Sequence, residues 1–86
     1  MTLSDWADIE SELTAVLANV ADELPAQDQE NVASLVGAGE FGIAFETLCT
    51  QLYEYDVTPT PDDLARLAAV GRRLELDPST WEILAQ

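Results

Sequence analysis

Apolar residues recur at three- and four-residue intervals along most of this chain, the signature of helices with one buried side. Trp6, Ile9, Leu13, Val16, Leu17, Val20 and Leu24 form the longest such stripe, and Asp5, Asp8, Glu12, Asn19, Asp22 and Glu23 lie largely opposite it. Ser4 is the expected N-cap, with Asp5 and Asp8 near the positive end of the helix dipole, and Pro25 marks the end. A second helix is expected from about Asp28 to Val36, with Val32, Leu35 and Val36 inward and Gly37 and Gly39 as its stop. A third should run from Glu40 or Phe41 to Tyr53 or Tyr55. Its inner face would be Phe41, Ala44, Phe45, Leu48, Cys49 and Leu52, with Glu46, Thr50, Gln51 and Glu54 outward. After a turn over Asp56 to Pro59, Thr60-Pro61-Asp62-Asp63 combines a cap, a proline at the first helical position and two acids in the first turn. Leu64, Leu67, Ala68, Gly71 and Leu74 carry that fourth helix inward, with Arg72 and Arg73 near its negative end. Asp77-Pro78-Ser79-Thr80 restarts a short last helix holding Trp81, Ile83 and Leu84. No segment sustains the period-two alternation of a strand. The expected fold is all-α, a small compact bundle of four to five helices in one domain over residues 1–86.

Length permits this. For 86 residues the surface scaling law gives roughly 5,000 Å² exposed when folded against roughly 13,600 Å² unfolded, enough for one modest core. The charge changes the picture more. Seventeen acids face three arginines with no lysine or histidine, a net charge of −14. Residues 1–63 hold fourteen acids and no base, while residues 64–86 are neutral. Binding nucleic acid by neutralising phosphates needs clustered Lys and Arg, so that function is excluded, and attraction to anionic membranes fails for the same reason. An asymmetric acidic field steers basic proteins, although acidic faces also serve plain solubility. No apolar run reaches membrane-spanning length, and acids stand where a signal peptide carries bases, so the cytoplasm is the expected compartment. Cys49 is the only cysteine, so no internal disulfide forms; among Phe45, Leu48 and Leu52 it reads as a small core residue.

The catalytic inventory is poor. Without histidine or lysine no Ser-His or Cys-His pair exists within the chain. A metal would have to be held by oxygens, and the doublets Asp22-Glu23 and Asp62-Asp63 lack the loop spacing and glycine of an EF-hand. Neither enzyme activity nor a cofactor or metal is expected. Gly37-Ala38-Gly39-Glu40-Phe41-Gly42 fits G-x-G-x-x-G literally. That fingerprint works only between a strand and a helix, and here the preceding segment reads as helix. Trp6 and Trp81 read as core anchors, with an interface role as the alternative. Tyr53 and Tyr55 flank Glu54 and precede Asp56; they would either serve as hot spots against a basic partner or close the bottom of the core.

The run Gly39-Glu40-Phe41-Gly42-Ile43-Ala44-Phe45-Glu46-Thr47-Leu48-Cys49, followed by Gln51-Leu52-Tyr53-Glu54-Tyr55, resembles a segment of small acidic bacterial immunity proteins. Leu74-Glu75-Leu76-Asp77-Pro78-Ser79-Thr80-Trp81-Glu82 adds to the likeness. The family is the MafI-type immunity proteins of polymorphic and contact-dependent growth inhibition toxin systems. The likeness covers about residues 36–86, and the first helix matches only in pattern. It implies a protein that binds the C-terminal domain of a cognate secreted toxin, often a basic nuclease, and blocks it stoichiometrically. Charge and expected exposure nominate Glu40, Glu46, Glu54, Tyr55, Asp56, Asp62 and Asp63 as partner-binding residues. The alternative is a regulatory or assembly module that binds a basic segment of a larger complex.

Overall fold

Residues 1–85, which the computed structural model describes, form five α-helices: α1 (Leu3–Val20), α2 (Ala26–Gly37), α3 (Phe41–Glu54), α4 (Pro61–Arg73) and α5 (Ser79–Glu82). Single 3₁₀ turns at Ala21–Glu23 and Ile83–Ala85 follow α1 and α5. There is no strand among the described residues, so the chain is the small all-α bundle its periodicity predicts. The G-x-G-x-x-G match is a helix-to-helix corner between α2 and α3.

Local chemistry sets the helix ends. The cap of α1 is Thr2, two residues before the expected Ser4. Its Oγ1 accepts from the Asp5 N–H at 3.3 Å while Asp5 Oδ2 accepts from the Thr2 N–H at 2.9 Å, a reciprocal capping box. That backbone hydrogen bond, reinforced by the Thr2 hydroxyl, lowers the Asp5 pKa below its ordinary value. Thr60 caps α4 as expected, accepting from the Asp63 N–H at 3.2 Å, with Pro61 at the first helical position. The corner between α1 and α2 is closed by Gln29, whose side-chain amide donates to the carbonyls of Ala21 and Leu24.

Three helices stop in the same way. The residue after each C-cap adopts a left-handed conformation: Gly39 (φ 76°), Asp56 (φ 59°) and Glu75 (φ 58°). The paired hydrogen bonds of a Schellman motif close each end. In α3, for example, the Asp56 and Val57 N–H groups donate to Tyr53 and Leu52 carbonyls at 3.2 and 2.9 Å. Only the first of these stops has a glycine to announce it.

α1 packs on α2 and α4, α2 packs on α3, and α5 closes against α3 and α4. Ile9, Leu13, Val16 and Val20 meet Val32, Phe45, Leu48, Leu52, Leu67 and Val70 in one core. Each fully buried Leu, Ile or Phe contributes about 1.5–3 kcal/mol of transfer free energy, and α3 supplies more of them than any other helix. Trp81 is buried with its ring edge against Phe45, centroids 6.0 Å apart, and lies directly on Gly71. Trp6 departs from the expected core role: it is 38% exposed and stacks on Phe41 at 5.5 Å. Ile83 also lies outside the core. The folded surface is 5041 Å², matching the roughly 5,000 Å² that chain length implies.

Candidate functional site

The outer side of α3 gathers what the rest of the surface keeps apart. Ile43, Glu46, Thr50 and Glu54, all exposed and three or four residues apart, form a ridge along the helix. Among the described residues, seven large apolar side chains are exposed. Met1, Leu3 and Trp6 lie near the N-terminal end. Of the other four, Ile43 belongs to this ridge, and Tyr53, Tyr55 and Ile83 border it. Two shallow grooves flank it. One, of about 390 Å³, lies between α2 and α3 and includes Asp28, Ile43, Gln51 and Tyr55. The other, of about 400 Å³, lies between α3 and the C-terminal segment and includes Cys49, Tyr53, Thr80 and Ile83. Glu46, Thr50 and Glu54 line both.

No basic residue lines either groove. The arginines lie on α4, where two of them compensate the acids of α1. Arg66 pairs with Glu12 at 3.3 Å and Asp63 at 3.1 Å, and Arg73 approaches Asp8 at 3.7 Å. Charge that is lopsided along the chain is thus lopsided differently in space. The α1–α4 side is partly balanced, and the α3 side is not.

Within the α2–α3 groove Asp28 is the central acceptor. Gln51 Nε2 donates to Asp28 Oδ1 at 3.3 Å. Hydrogen bonding to the same carboxylate raises the Tyr55 phenol above its ordinary pKa of 10.0, with smaller contributions from desolvation and from Glu54. Gln51 is 9% exposed, and its Oε1 is buried without a hydrogen-bond partner. On the other side Cys49 is buried; desolvation, then the charge of Glu46, pushes its pKa up to about 12. Its thiol is therefore protonated and inert at neutral pH.

The structure brings together Glu46, Glu54 and Tyr55 of the expected partner-binding residues. Asp56 sits just beyond, in a small recess with Tyr53 and Ile83. Glu40 is exposed at the opposite end of α3, about 20 Å away at 1.5 Å per residue. Asp62 is exposed in the first turn of α4 and lines neither groove. Asp63 corrects the expectation of exposure. Its residue is 1% exposed, and its Oδ1 accepts from Asn19 Nδ2 at 3.0 Å and Arg66 Nη1 at 3.1 Å. It pins α4 to α1 and is unavailable to a partner.

Asp28 and Gln51 are additions to the expected set. The sequence pattern puts Gln51 on the outer side of α3, but it follows Ala44 and Leu48 by seven and three residues, on the margin of the inner stripe. That margin becomes buried because α2 packs over it. Among the described residues no group of three or more His, Cys, Asp or Glu is placed to hold a metal ion. No described helix is long and apolar enough to cross a membrane. No protein-family model, curated protein or solved structure matches the chain.

Proposed function

We propose that this protein is an immunity protein of the kind its middle segment resembles, one that captures and neutralises a basic toxin domain through the outer face of α3. The observation that supports the reading most is the coincidence on one face of two exposed tyrosines, two exposed aliphatic side chains and three carboxylates with no neighbouring cation. Rigid aromatic anchors surrounded by charge are the composition of interface hot spots.

The mechanism is blockade without turnover. A nuclease must attract phosphate, so its active cleft presents positive charge, to which Glu46, Glu54 and Asp28 are complementary. Long-range attraction brings association towards about 10⁸ M⁻¹s⁻¹ at low salt. Tyr53, Tyr55, Ile43 and Ile83 then supply the desolvated area that slows release. The complex would form in the cytoplasm of the producing bacterium.

Titration calorimetry against the C-terminal domain of the protein encoded immediately upstream, at low and high salt, tests the reading. The expected result is a 1:1 complex of nanomolar affinity or tighter, with toxin activity lost at equivalence and affinity falling as salt rises. Absence of binding would overturn it in favour of the regulatory-module alternative.

A further inference from the structure

The last hydrogen bond that ties the C-terminal part of the chain to the bundle comes from the Leu76 N–H, which donates to the Gly71 carbonyl at 3.0 Å. Among the described residues, the hydrogen bonds of 77–85 stay inside the segment. The N–H groups of Ser79 and Thr80 donate to Asp77, and those of Trp81 and Glu82 donate to the Pro78 carbonyl. No ion pair among the described residues leaves the segment either. It adds Asp77, Glu82 and no base to a chain of net charge −14, so charge does not draw it in. α5 has four residues, too few to hold a helix by itself. Apolar burial alone keeps the segment down, through Trp81 and Leu84. All the other buried apolar side chains lie before residue 77, so α1–α4 keep a core of their own without it.

Few buried side chains and no hydrogen bond to the rest are the marks of a unit that opens locally. Its seat is nevertheless specific. Trp81 lies on Gly71, in space that a Cβ there would fill, and sets its ring edge against Phe45. A close-packed seat that admits the ring in one position makes closure all-or-none. Cys49, which is buried, shares the groove walled by Thr80 and Ile83. We propose that residues 77–85 are a latch that opens and closes as one unit on an intact α1–α4 bundle, with Trp81 on Gly71 as its catch and Cys49 beneath it. Opening bares Phe45 and Cys49 and takes Ile83 away from the outer face of α3. The docking face is then complete only while the latch is shut, and a partner that touches Ile83 favours the closed state. That consequence rests on the docking reading of α3; the latch itself does not.

The test uses the intact chain and no partner. In native-state hydrogen exchange the N–H groups of Thr80, Trp81 and Glu82 should be at least about tenfold less protected than those of Leu48 and Leu52 on α3. Urea below the unfolding transition should leave their exchange nearly unchanged, because opening the latch exposes little surface. Alkylation of Cys49 by iodoacetamide should show the same flat urea dependence. Gly71→Ala, which unseats Trp81, should raise the alkylation rate at least about tenfold, while Val32→Ala, on α2 and outside the seat, should leave it within about twofold. Latch amides that share the protection and urea dependence of α3 would overturn the proposal. So would latch amides with no protection over the unfolded chain. Equal acceleration of alkylation by both variants, or by neither, would also overturn it. Should Gly71→Ala fail to fold, hydrogen exchange in the unsubstituted chain decides alone. Failure here leaves the docking reading standing, and absence of a toxin complex leaves the latch standing.

Discussion

Asp62 and Asp63 are adjacent, chemically identical and both in the first turn of α4, yet they do different work. Asp62 is exposed and gains only from the helix dipole. Asp63 is buried and joins Asn19 to Arg66. Hydrogen bonds to charged groups are worth about 1.5–3 kcal/mol each, reduced here because Arg66 is itself 40% exposed. Asp63→Ala should cost about 2–3 kcal/mol in urea unfolding, and Asp62→Ala less than about 1 kcal/mol. Cys49 gives a second contrast. Its pKa is raised from 9.0 to about 12 by burial and Glu46, so folding favours the protonated thiol. The stability linked to that proton is complete below pH 9 and is lost as pH rises from 9 towards 12. At pH 8 a disulfide reagent such as DTNB should react with the native thiol at least about a hundredfold more slowly than with the urea-unfolded chain. Equal rates would mean that α3 opens readily.

Helix ends and helix crossings favour glycine for different physical reasons. Glu75 ends α4 in a left-handed conformation that costs an L-residue roughly 1–2 kcal/mol and glycine almost nothing. Glu75→Gly should therefore stabilise the protein by about 0.5–1 kcal/mol after glycine's greater unfolded-state entropy is deducted. Gly71, one turn earlier, has ordinary helical backbone, where alanine would normally gain about 0.5–1 kcal/mol. Here an added Cβ would run into the ring of Trp81. Gly71→Ala should instead lose about 1–3 kcal/mol, the usual cost of overpacking. Thermal or urea melts of the two variants check both signs.

The bundle measures 34 × 25 × 19 Å, about one Debye length at 0.01 M salt, where one is about 30 Å. Its −14 charge is therefore felt across the fold, and three partly exposed ion pairs do little to offset it. Added sodium chloride between about 0.02 and 0.5 M should raise the melting temperature, since screening relieves net repulsion more than it weakens those pairs. The same field is directional for a partner. If the proposed toxin domain is the partner, replacing Glu46 and Glu54 together by Lys should slow its association about tenfold or more at low salt and flatten the salt dependence. Glu10→Lys on exposed α1 should change the rate far less. Equal effects in stopped-flow kinetics would move the docking face away from α3.

Periodicity alone determined the helices of this protein, since the rule that apolar side chains recur every three or four residues involves only near neighbours. The same holds for the Thr60-Pro61 start, the Gly37–Gly39 stop and the buried inner face of α3, all readable without knowing what lies opposite. Glu46, Glu54 and Tyr55 were legible as candidates because charge and distance from the apolar stripe are local properties too. Tertiary structure decided the rest. Asn19 and Asp63 lie 44 residues apart in sequence, and only the crossing of α1 and α4 turns an apparent surface acid into a buried tie. Asp28 and Gln51 are 23 residues apart, and only the packing of α2 over α3 makes a groove of them. Which polar margin of a helix is covered depends on how its neighbours cross it. That angle is set by the packing of whole side-chain surfaces, a property no single segment carries.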